Sequence, residues 1–484
     1  MLTAAPSSNS NSSDASVQRR GRSGSSLDDA DGNGSIQQQS VRIDVVDDDD
    51  HLVKHKTPAS SRSVVAATDS SRRRGGNAKA PASKILFLDG VRGFASLFVV
   101  TEHSLYWNGK NLGACAVDTF FVLSSFLLTM LFYKKSAQML SQKASFRKWS
   151  FTLLDYFSKR FFRVYPLFAI VAIFLWVMPD EFQQRYFFVP KDRPYDLYKV
   201  LTFELDYRYH VFWTLPLEIA YYFMIPVFVL VTIGLGRGWW VPLVPLFIWV
   251  VNAGLKGYRE HHLPLEPHLP TFVVGSMGAI FFVKIEAWIK TNAFEFSRYH
   301  RLVVRAVEAA LLALMLSVTF KGLFFHWWHP NPAPTTRGSQ CVSILVTLLI
   351  VIELLLPSPL ARMFEWNVLR YWGKISFSSY LLHSFVIYSP WIGSQHDAYD
   401  KFFAVFFLIA LLSSASYQLI EYPSQLLSMR ISKFLSARGG LAQHVNYVQL
   451  AMTIAKSKAI RRDDSPDDLE NDFDNDEAAP LHTK

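Results

Sequence analysis

The hydrophobic positions of this chain fall into long runs separated by short polar segments. Between about residues 85 and 425, each run approaches the length that crosses a hydrocarbon core, roughly 20 residues in a helix. The runs predict helical spans at about residues 85–107, 113–133, 162–179, 211–234, 239–254, 269–289, 304–325, 340–357, 373–391 and 402–421. The pattern indicates an all-α fold, a polytopic membrane helix bundle with about ten transmembrane helices.

The segments on either side of the spans have a different composition. Residues 1–83 are rich in Ser, Asn, Gly and Asp and contain no apolar core of a secretory signal, so we expect a disordered N-terminal segment and insertion directed by the first span. The transmembrane domain is predicted at residues 84–424. Residues 425–484 are predicted to form a tail that is largely disordered and acidic at its end, although residues 444–458 have the pattern of a short amphipathic helix.

Basic residues between the spans predict the orientation. The connection after the second span carries Lys134, Lys135, Lys143, Arg147, Lys148, Lys159, Arg160 and Arg163. Because cytoplasmic loops carry the excess of Lys and Arg, we expect this connection in the cytosol. With an even number of spans, both termini are then cytosolic, as expected of a multi-pass protein of an endomembrane or the plasma membrane.

Composition agrees with this picture and excludes other classes. Half of the residues, 50%, are hydrophobic and only 18% are charged, which argues against soluble domains. The net charge of +9 lies largely beside the spans, so we expect a lipid bilayer and no nucleic acid as partner. Cys115 and Cys341 are the only cysteines and lack the spacing of a metal or redox motif, so we predict no metal site.

The first span contains ionisable residues that are costly in hydrocarbon. Arg92 and His103 are 11 residues apart, close to three helical turns, so both lie on one helix face about 16 Å apart. Asp89 lies on nearly the same face. Spacing alone supports two interpretations equally well: a structural pairing of these groups within the bundle, or a site that binds an anion at one end and reacts at the other.

Other intramembrane polar residues extend this pattern. Glu102 is adjacent to His103, and Asp118 begins the second span near the same side of the membrane, where it is able to meet either of them. Glu218 is near the outer end of its span. His383 is in the middle of a predicted span, where a packing role is at least as consistent as catalysis.

Six ordered segments resemble the acyltransferase 3 family of integral membrane acyltransferases. They are residues 88–93 (LDGVRG) with His103, residues 117–128 (VDTFFVLSSFLL), 160–166 (RFFRVYP), 213–222 (WTLPLEIAYY), 375–383 (ISFSSYLLH) and 421–423 (EYP). Each is a weak signal alone, but six in order are specific. Three features depart from the family pattern. Ser125 stands where the family usually has Gly, Pro216 and the lone Glu218 replace a more acidic motif, and Tyr422 replaces a basic residue before Pro423.

The resemblance implies transfer of an acyl group, often acetyl, from a coenzyme A thioester to a hydroxyl. In the family, the residues that match Arg92 and His103 are taken as essential, and Asp118, Arg163 and Glu218 match further motif positions. No permanently bound cofactor is expected; acetyl-CoA or another acyl-CoA is the expected co-substrate. The disordered N-terminus suggests a eukaryotic-style, fungal-like member that acts on a sugar, glycolipid or secondary metabolite.

The chemistry of these side chains assigns candidate roles. A neutral imidazole suits deprotonation of an alcohol near pH 7, so His103 is the candidate general base, with Glu102 or Asp118 orienting its ring and Glu218 as a further catalytic candidate. A covalent acyl-histidine that relays the group across the bilayer is the open alternative. Arg92, Arg160 and Arg163 are candidates for binding the phosphates of coenzyme A.

A secondary transporter is the competing function, because transporters also keep ionisable residues within spans. Such proteins usually contain repeated halves with broken helices in matching positions. The sequence contains no such internal repeat. The pattern therefore favours the acyltransferase.

Overall fold

The computed structural model of the protein describes residues 86–106, 112–256, 263–320, 322–325 and 340–438. Within these ranges the chain is helical and contains no strand. This agrees with the predicted all-α fold. The predicted tail, residues 425–484, begins with helix over residues 425–438. The predicted disorder of residues 1–83 and of the rest of the tail, and the short helix predicted at residues 444–458, fall outside the described residues.

The long helices alternate with short ones. The α-helices are α1 (Leu86–His103), α2 (Leu112–Ser141), α3 (Phe146–Val177), α4 (Asp180–Phe187), α5 (Leu197–Leu201), α6 (Thr214–Gly234), α7 (Leu243–Lys256), α8 (Leu269–Thr291), α9 (Arg298–Thr319), α10 (Gln340–Leu355), α11 (Pro359–Phe364), α12 (Asn367–Lys374), α13 (Ser376–Ile387), α14 (Pro390–Gly393) and α15 (Ala398–Ser416). Short 3₁₀ turns cover Leu205–Tyr207, His210–Trp213, Gly236–Gly238 and Glu266–His268, and α15 continues through a π-helical turn, Tyr417–Glu421, into helix over residues 422–438.

Each predicted span coincides with helix, but the helices differ in their ability to cross a membrane. Six helical stretches are long and apolar enough: Leu112–Ser141, Phe146–Val177, His210–Gly234, Glu266–Thr291, Arg298–Thr319 and Ala398–Arg438. Helices α7 and α10 have 14 and 16 residues, and the predicted span at 373–391 is divided among α12, α13 and α14. The protein is thus a multi-pass helical membrane protein, and ten remains the predicted number of spans.

Helix α3 shows how a membrane-spanning surface differs from a soluble one. Ile170, Phe174 and Trp176 leave 47%, 43% and 55% of their surface uncovered by protein. An apolar strip of this kind on a helix of 32 residues is expected where lipid tails cover it. The inner side of the same helix packs Leu167 and Phe168 into a protein core.

Helix α1 packs closely against α12 because glycines remove side chains from the contact. A Cβ added to Gly93 would lie 1.9 Å from the Leu369 carbonyl oxygen, and one added to Gly373 would lie 1.9 Å from the Asp89 carbonyl oxygen. Small residues of this kind let membrane helices approach backbone to backbone. The glycines of the LDGVRG segment therefore fix the position of the helix that carries Asp89, Arg92 and His103.

Candidate active site

The cytosolic-predicted half of α1 holds an ion pair. Arg92 Nη1 donates to Asp89 Oδ1 at 3.3 Å, and both side chains are mostly buried. The structural pairing considered from spacing is therefore present for these two residues. Because α1 is continuous through His103, Arg92 and His103 remain about 16 Å apart along the axis.

The other end of α1 meets two histidines from distant parts of the sequence. The ring centroids of His103 and His383 are 4.9 Å apart, those of His103 and His210 are 5.1 Å apart, and those of His210 and His383 are 5.9 Å apart. We call His103, His210 and His383 the histidine cluster. It brings α1, α13 and the turn before α6 together at one point.

Backbone geometry holds the rings of this cluster. His210 begins its 3₁₀ turn with a φ of 42°, a left-handed conformation that is uncommon for a residue with a side chain. His383 is fully buried in α13, with Nδ1 at 2.8 Å from the Tyr380 carbonyl oxygen and 3.2 Å from that of Ser379. Local backbone strain of the kind seen at His210 persists where the surrounding structure requires it.

His103 meets a phenol where a carboxylate was predicted to orient it. The Tyr388 hydroxyl is 3.3 Å from His103 Nδ1, and this is the hydrogen bond that His103 makes with the described residues. Glu102 packs beside Gly113, where an added Cβ would lie 3.0 Å from the Glu102 Cγ. Asp118 is fully buried on α2. The structure brings neither carboxylate into a described hydrogen bond with His103, so their catalytic roles remain predictions.

Glu218 accepts two short hydrogen bonds inside the bundle. The Ser124 hydroxyl of α2 and the Tyr222 hydroxyl of α6 each donate to Glu218 Oε1 at 2.5 Å. One turn earlier on α6, Thr214 Oγ1 donates to the Tyr380 hydroxyl of α13 at 3.1 Å. The ring centroids of Tyr380 and His383 are 6.2 Å apart on the same helix.

Glu421 lies in the π-helical turn that packs against α3, the helix of Arg160 and Arg163. Glu421 is buried and accepts a hydrogen bond from the Ser378 hydroxyl of α13. The two predicted phosphate-binding arginines of α3 lie about one turn apart on that helix, and their role in binding coenzyme A remains a prediction.

Nearby lysines have other partners. Lys134 pairs with Glu286 at 3.0 Å, and Lys135 and Lys159 pair with Asp155 at 3.1 and 3.6 Å. These pairs connect α2 to α8 and to α3. Their geometry suits a role in orientation and packing for the lysines.

A comparison with protein families shows which family the chain belongs to. The model of the acyltransferase 3 family, described as an acyltransferase domain, matches residues 85–421. The chain belongs to this family. The match covers α1 through Glu421 and so includes the histidine cluster, Glu218 and the arginines of α3.

Individual relatives of this acyltransferase 3 family member are distant. The O-acetyltransferase OatA of Staphylococcus aureus is 23% identical over 386 residues, which cover 73% of this chain and 59% of OatA. Protein 2 in picA locus of Rhizobium radiobacter is 33% identical over 94 residues, 19% of this chain and 44% of that protein. The chain thus spans about half the length of these curated relatives. No solved structure matches it.

Three residues in or near the candidate site are not indicated by the sequence pattern: His210, Tyr388 and Glu421. Glu421 enters the sequence analysis only as part of the EYP segment. No spacing rule links positions 103, 210, 383 and 388, because the helices bring them together only in the folded bundle. The available signal is that His210 lies three residues before the start of the WTLPLE segment and His383 ends the SYLLH segment.

Proposed function

We propose that the protein is a membrane-embedded O-acyltransferase that moves an acyl group, most simply acetyl, from acyl-CoA to a hydroxyl of a sugar, glycolipid or secondary metabolite. Family membership and the relative named O-acetyltransferase OatA support this class of reaction. The observation that carries the proposal is the arrangement along α1, which holds Arg92 about 16 Å from the histidine cluster at its other end. This arrangement supports an anion-binding end and a proton-accepting end within one bundle.

In the proposed reaction, the acceptor hydroxyl oxygen attacks the thioester carbonyl carbon while His103 removes its proton. The carbon–sulfur bond then breaks, and the coenzyme A sulfur leaves as the imidazolium returns the proton. The products are an acyl ester and free coenzyme A. The Tyr388 hydroxyl beside Nδ1 is suited to holding the imidazole of His103 in one orientation.

A second route for the acyl group uses the same residues. His103 attacks the thioester first, coenzyme A leaves, and the acyl-imidazole passes the group to the acceptor hydroxyl. The two routes differ in one observable. Only the second gives protein labelled by radioactive acetyl-CoA in the absence of acceptor, with the label lost in His103→Gln.

The positions of positively charged residues support binding of the acyl-CoA donor at the cytosolic end of the bundle. Arg160 and Arg163 lie on α3, which follows the basic connection that we expect in the cytosol, where acyl-CoA is found. A guanidinium binds phosphate through two parallel hydrogen bonds. Arg92 is assigned to the same function from the sequence, although it also donates to Asp89.

The test of the function starts from the acceptor. Small-molecule and lipid extracts of cells with and without the protein are compared, and the expected result is a compound that gains one acetyl mass only when the protein is present. The purified full-length chain in liposomes then releases free coenzyme A from acetyl-CoA when that compound is added. No acceptor-dependent release with any extract fraction would overturn the proposal.

The donor site is tested separately through Arg92→Lys. This variant keeps the charge but loses the planar guanidinium, so the KM for acetyl-CoA is expected to rise about tenfold, as for one lost charged hydrogen bond. The matched control is Arg237→Lys in the exposed turn after α6, with an unchanged KM. An unchanged KM in Arg92→Lys as well would remove Arg92 from the donor site.

A further inference from the structure

The histidine cluster has the composition of a transition-metal site. One ligand-capable nitrogen from each of His103, His210 and His383 lies within 4.8 Å of the other two. Across the described ranges, this is the one group of three or more His, Cys, Asp or Glu side chains with such proximity. Three neutral imidazoles are a ligand set that suits Zn²⁺, Cu²⁺ and Ni²⁺ rather than Mg²⁺ or Ca²⁺.

The hydrogen bonds of His383 leave one of its ring nitrogens able to bind a metal ion. Its Nδ1 lies against the carbonyl oxygens of Ser379 and Tyr380 and therefore carries the proton as donor, since a carbonyl only accepts. The lone pair is then on Nε2, which is buried without a hydrogen-bond partner. A backbone carbonyl that fixes the tautomer in this way is typical of metal-ligating histidines.

The other two rings add to this arrangement. His210 Nε2 is also buried without a hydrogen-bond partner, and the left-handed backbone at His210 holds its ring in the cluster. His103 Nδ1 is 3.3 Å from the Tyr388 hydroxyl, which is an outer contact of the kind that orients a ligand. The convergence of these nitrogens at one point is what indicates a bound ligand.

We propose that the histidine cluster binds one Zn²⁺ ion and that the bound ion switches off acyl transfer. Zinc–nitrogen bonds of about 2.0–2.1 Å place tetrahedral ligand nitrogens roughly 3.3 Å apart, so the rings close by at most about 1.5 Å. The ion occupies the lone pairs of the cluster, including the one that His103 needs to accept a proton. The proposed metal site is supported by geometry alone. The proposed inhibition of acyl transfer by the bound ion also rests on the proposed function.

Metal binding is tested without reference to activity. The purified full-length protein is washed with a chelator and titrated with Co²⁺, which reports tetrahedral nitrogen coordination by visible absorption. The expected result is saturation at one equivalent and loss of the signal on addition of Zn²⁺. Absence of a stoichiometric signal, together with no retained zinc by elemental analysis after gel filtration, would overturn the site.

Variants locate the ion. His210→Gln and His383→Gln are each expected to weaken metal affinity by at least about tenfold, since even changes next to a ligand cost 10- to 100-fold. The matched controls are His300→Gln, on the exposed first turn of α9, and His396→Gln, in an exposed turn before α15, both with unchanged affinity. Equal affinity in all four variants would place the metal elsewhere and overturn the proposal. Each titration is normalised to the folded fraction of that variant, measured by size-exclusion chromatography.

The inhibitory role is tested in the coenzyme A release assay. Zn²⁺ is expected to inhibit the wild-type protein and a chelator to restore its rate, while His210→Gln requires at least about ten times more Zn²⁺ for half-inhibition of its own rate. Activation by Zn²⁺ would contradict the inhibitory role. If acyl transfer itself is absent, the cobalt titration still decides the metal site, so failure of the proposed function and failure of this inference are distinguishable.

Discussion

Two groups of buried ionisable side chains within the helices differ in how completely they are partnered. In one, Arg305 of α9 donates to Glu308, to Glu353 of α10 at 3.3 Å and to the Leu356 carbonyl oxygen. Ser358 completes this Arg305 network, its backbone N–H donating to Glu353 at 2.9 Å and its hydroxyl to Glu308 at 3.2 Å. Both carboxylates are almost fully buried and serve to join α9, α10 and the start of α11.

The histidine cluster is different because it keeps buried nitrogens without partners. Nε2 of His210 and Nε2 of His383 make no hydrogen bond with the described residues. A saturated network is what stability requires, whereas unsatisfied buried atoms cost free energy. The Arg305 network is therefore suited to joining helices, whereas the convergence of two unsatisfied nitrogens with His103 at one point is suited to binding or proton transfer.

The largest effect that separates the two groups is expected for His103→Gln. Removal of a general base typically lowers the rate about 10²- to 10⁴-fold. The coenzyme A release rate per folded molecule should fall by this factor, with unchanged expression and thermal midpoint. The matched control is His396→Gln, for which the rate is unchanged.

The second largest effect is a loss of folding stability, expected for Arg305→Met. Removing one partner of a buried ion pair costs about 3–5 kcal/mol because the remaining carboxylates lose their countercharge. We expect a lower thermal midpoint in detergent, measured by fluorescence-detected size-exclusion chromatography, with the rate per folded molecule retained. Arg301→Met, one turn earlier on an exposed face, should leave the midpoint unchanged. A wild-type midpoint in Arg305→Met would show that the network is dispensable.

A third, intermediate effect is expected where α1 touches α12. The methyl group of Gly93→Ala would lie against the Leu369 carbonyl oxygen, and overpacking of this kind costs about 1–3 kcal/mol. Both the thermal midpoint and the rate should fall, since α1 also carries His103. In Gly234→Ala, where no atom lies within 4 Å of the new methyl group, the midpoint should be unchanged or higher, by up to about 1 kcal/mol of stability.

The smallest effect is expected for Tyr388→Phe, which removes the hydroxyl beside His103 Nδ1. A neutral hydrogen bond contributes about 0.5–1.5 kcal/mol, which corresponds to roughly a 2- to 10-fold lower kcat. Because Tyr388 acts through His103, the KM for acetyl-CoA should not change. Tyr399→Phe, at an exposed position of α15, is the control. A rise in KM without a fall in kcat would assign Tyr388 to substrate binding.

The sequence predicted the helices well because hydrophobic runs reflect burial in lipid or protein. It did not predict the division of one run among α12, α13 and α14, although Pro390 at the start of α14 is a local signal for the second break. The site is likewise predicted only in part. Arg92 and His103 were found from their spacing within one helix, whereas His210, Tyr388 and Glu421 join the site through contacts across hundreds of positions.

The assignment of acyl transfer to the histidine cluster is tested most directly by coenzyme A release from His103→Gln and Arg305→Met, measured side by side in the same liposomes and normalised to folded protein. We expect His103→Gln to retain less than about one hundredth of the wild-type rate and Arg305→Met to stay within about twofold of it. A His103→Gln protein with wild-type release, or a loss of release confined to Arg305→Met, would contradict the assignment of acyl transfer to the histidine cluster.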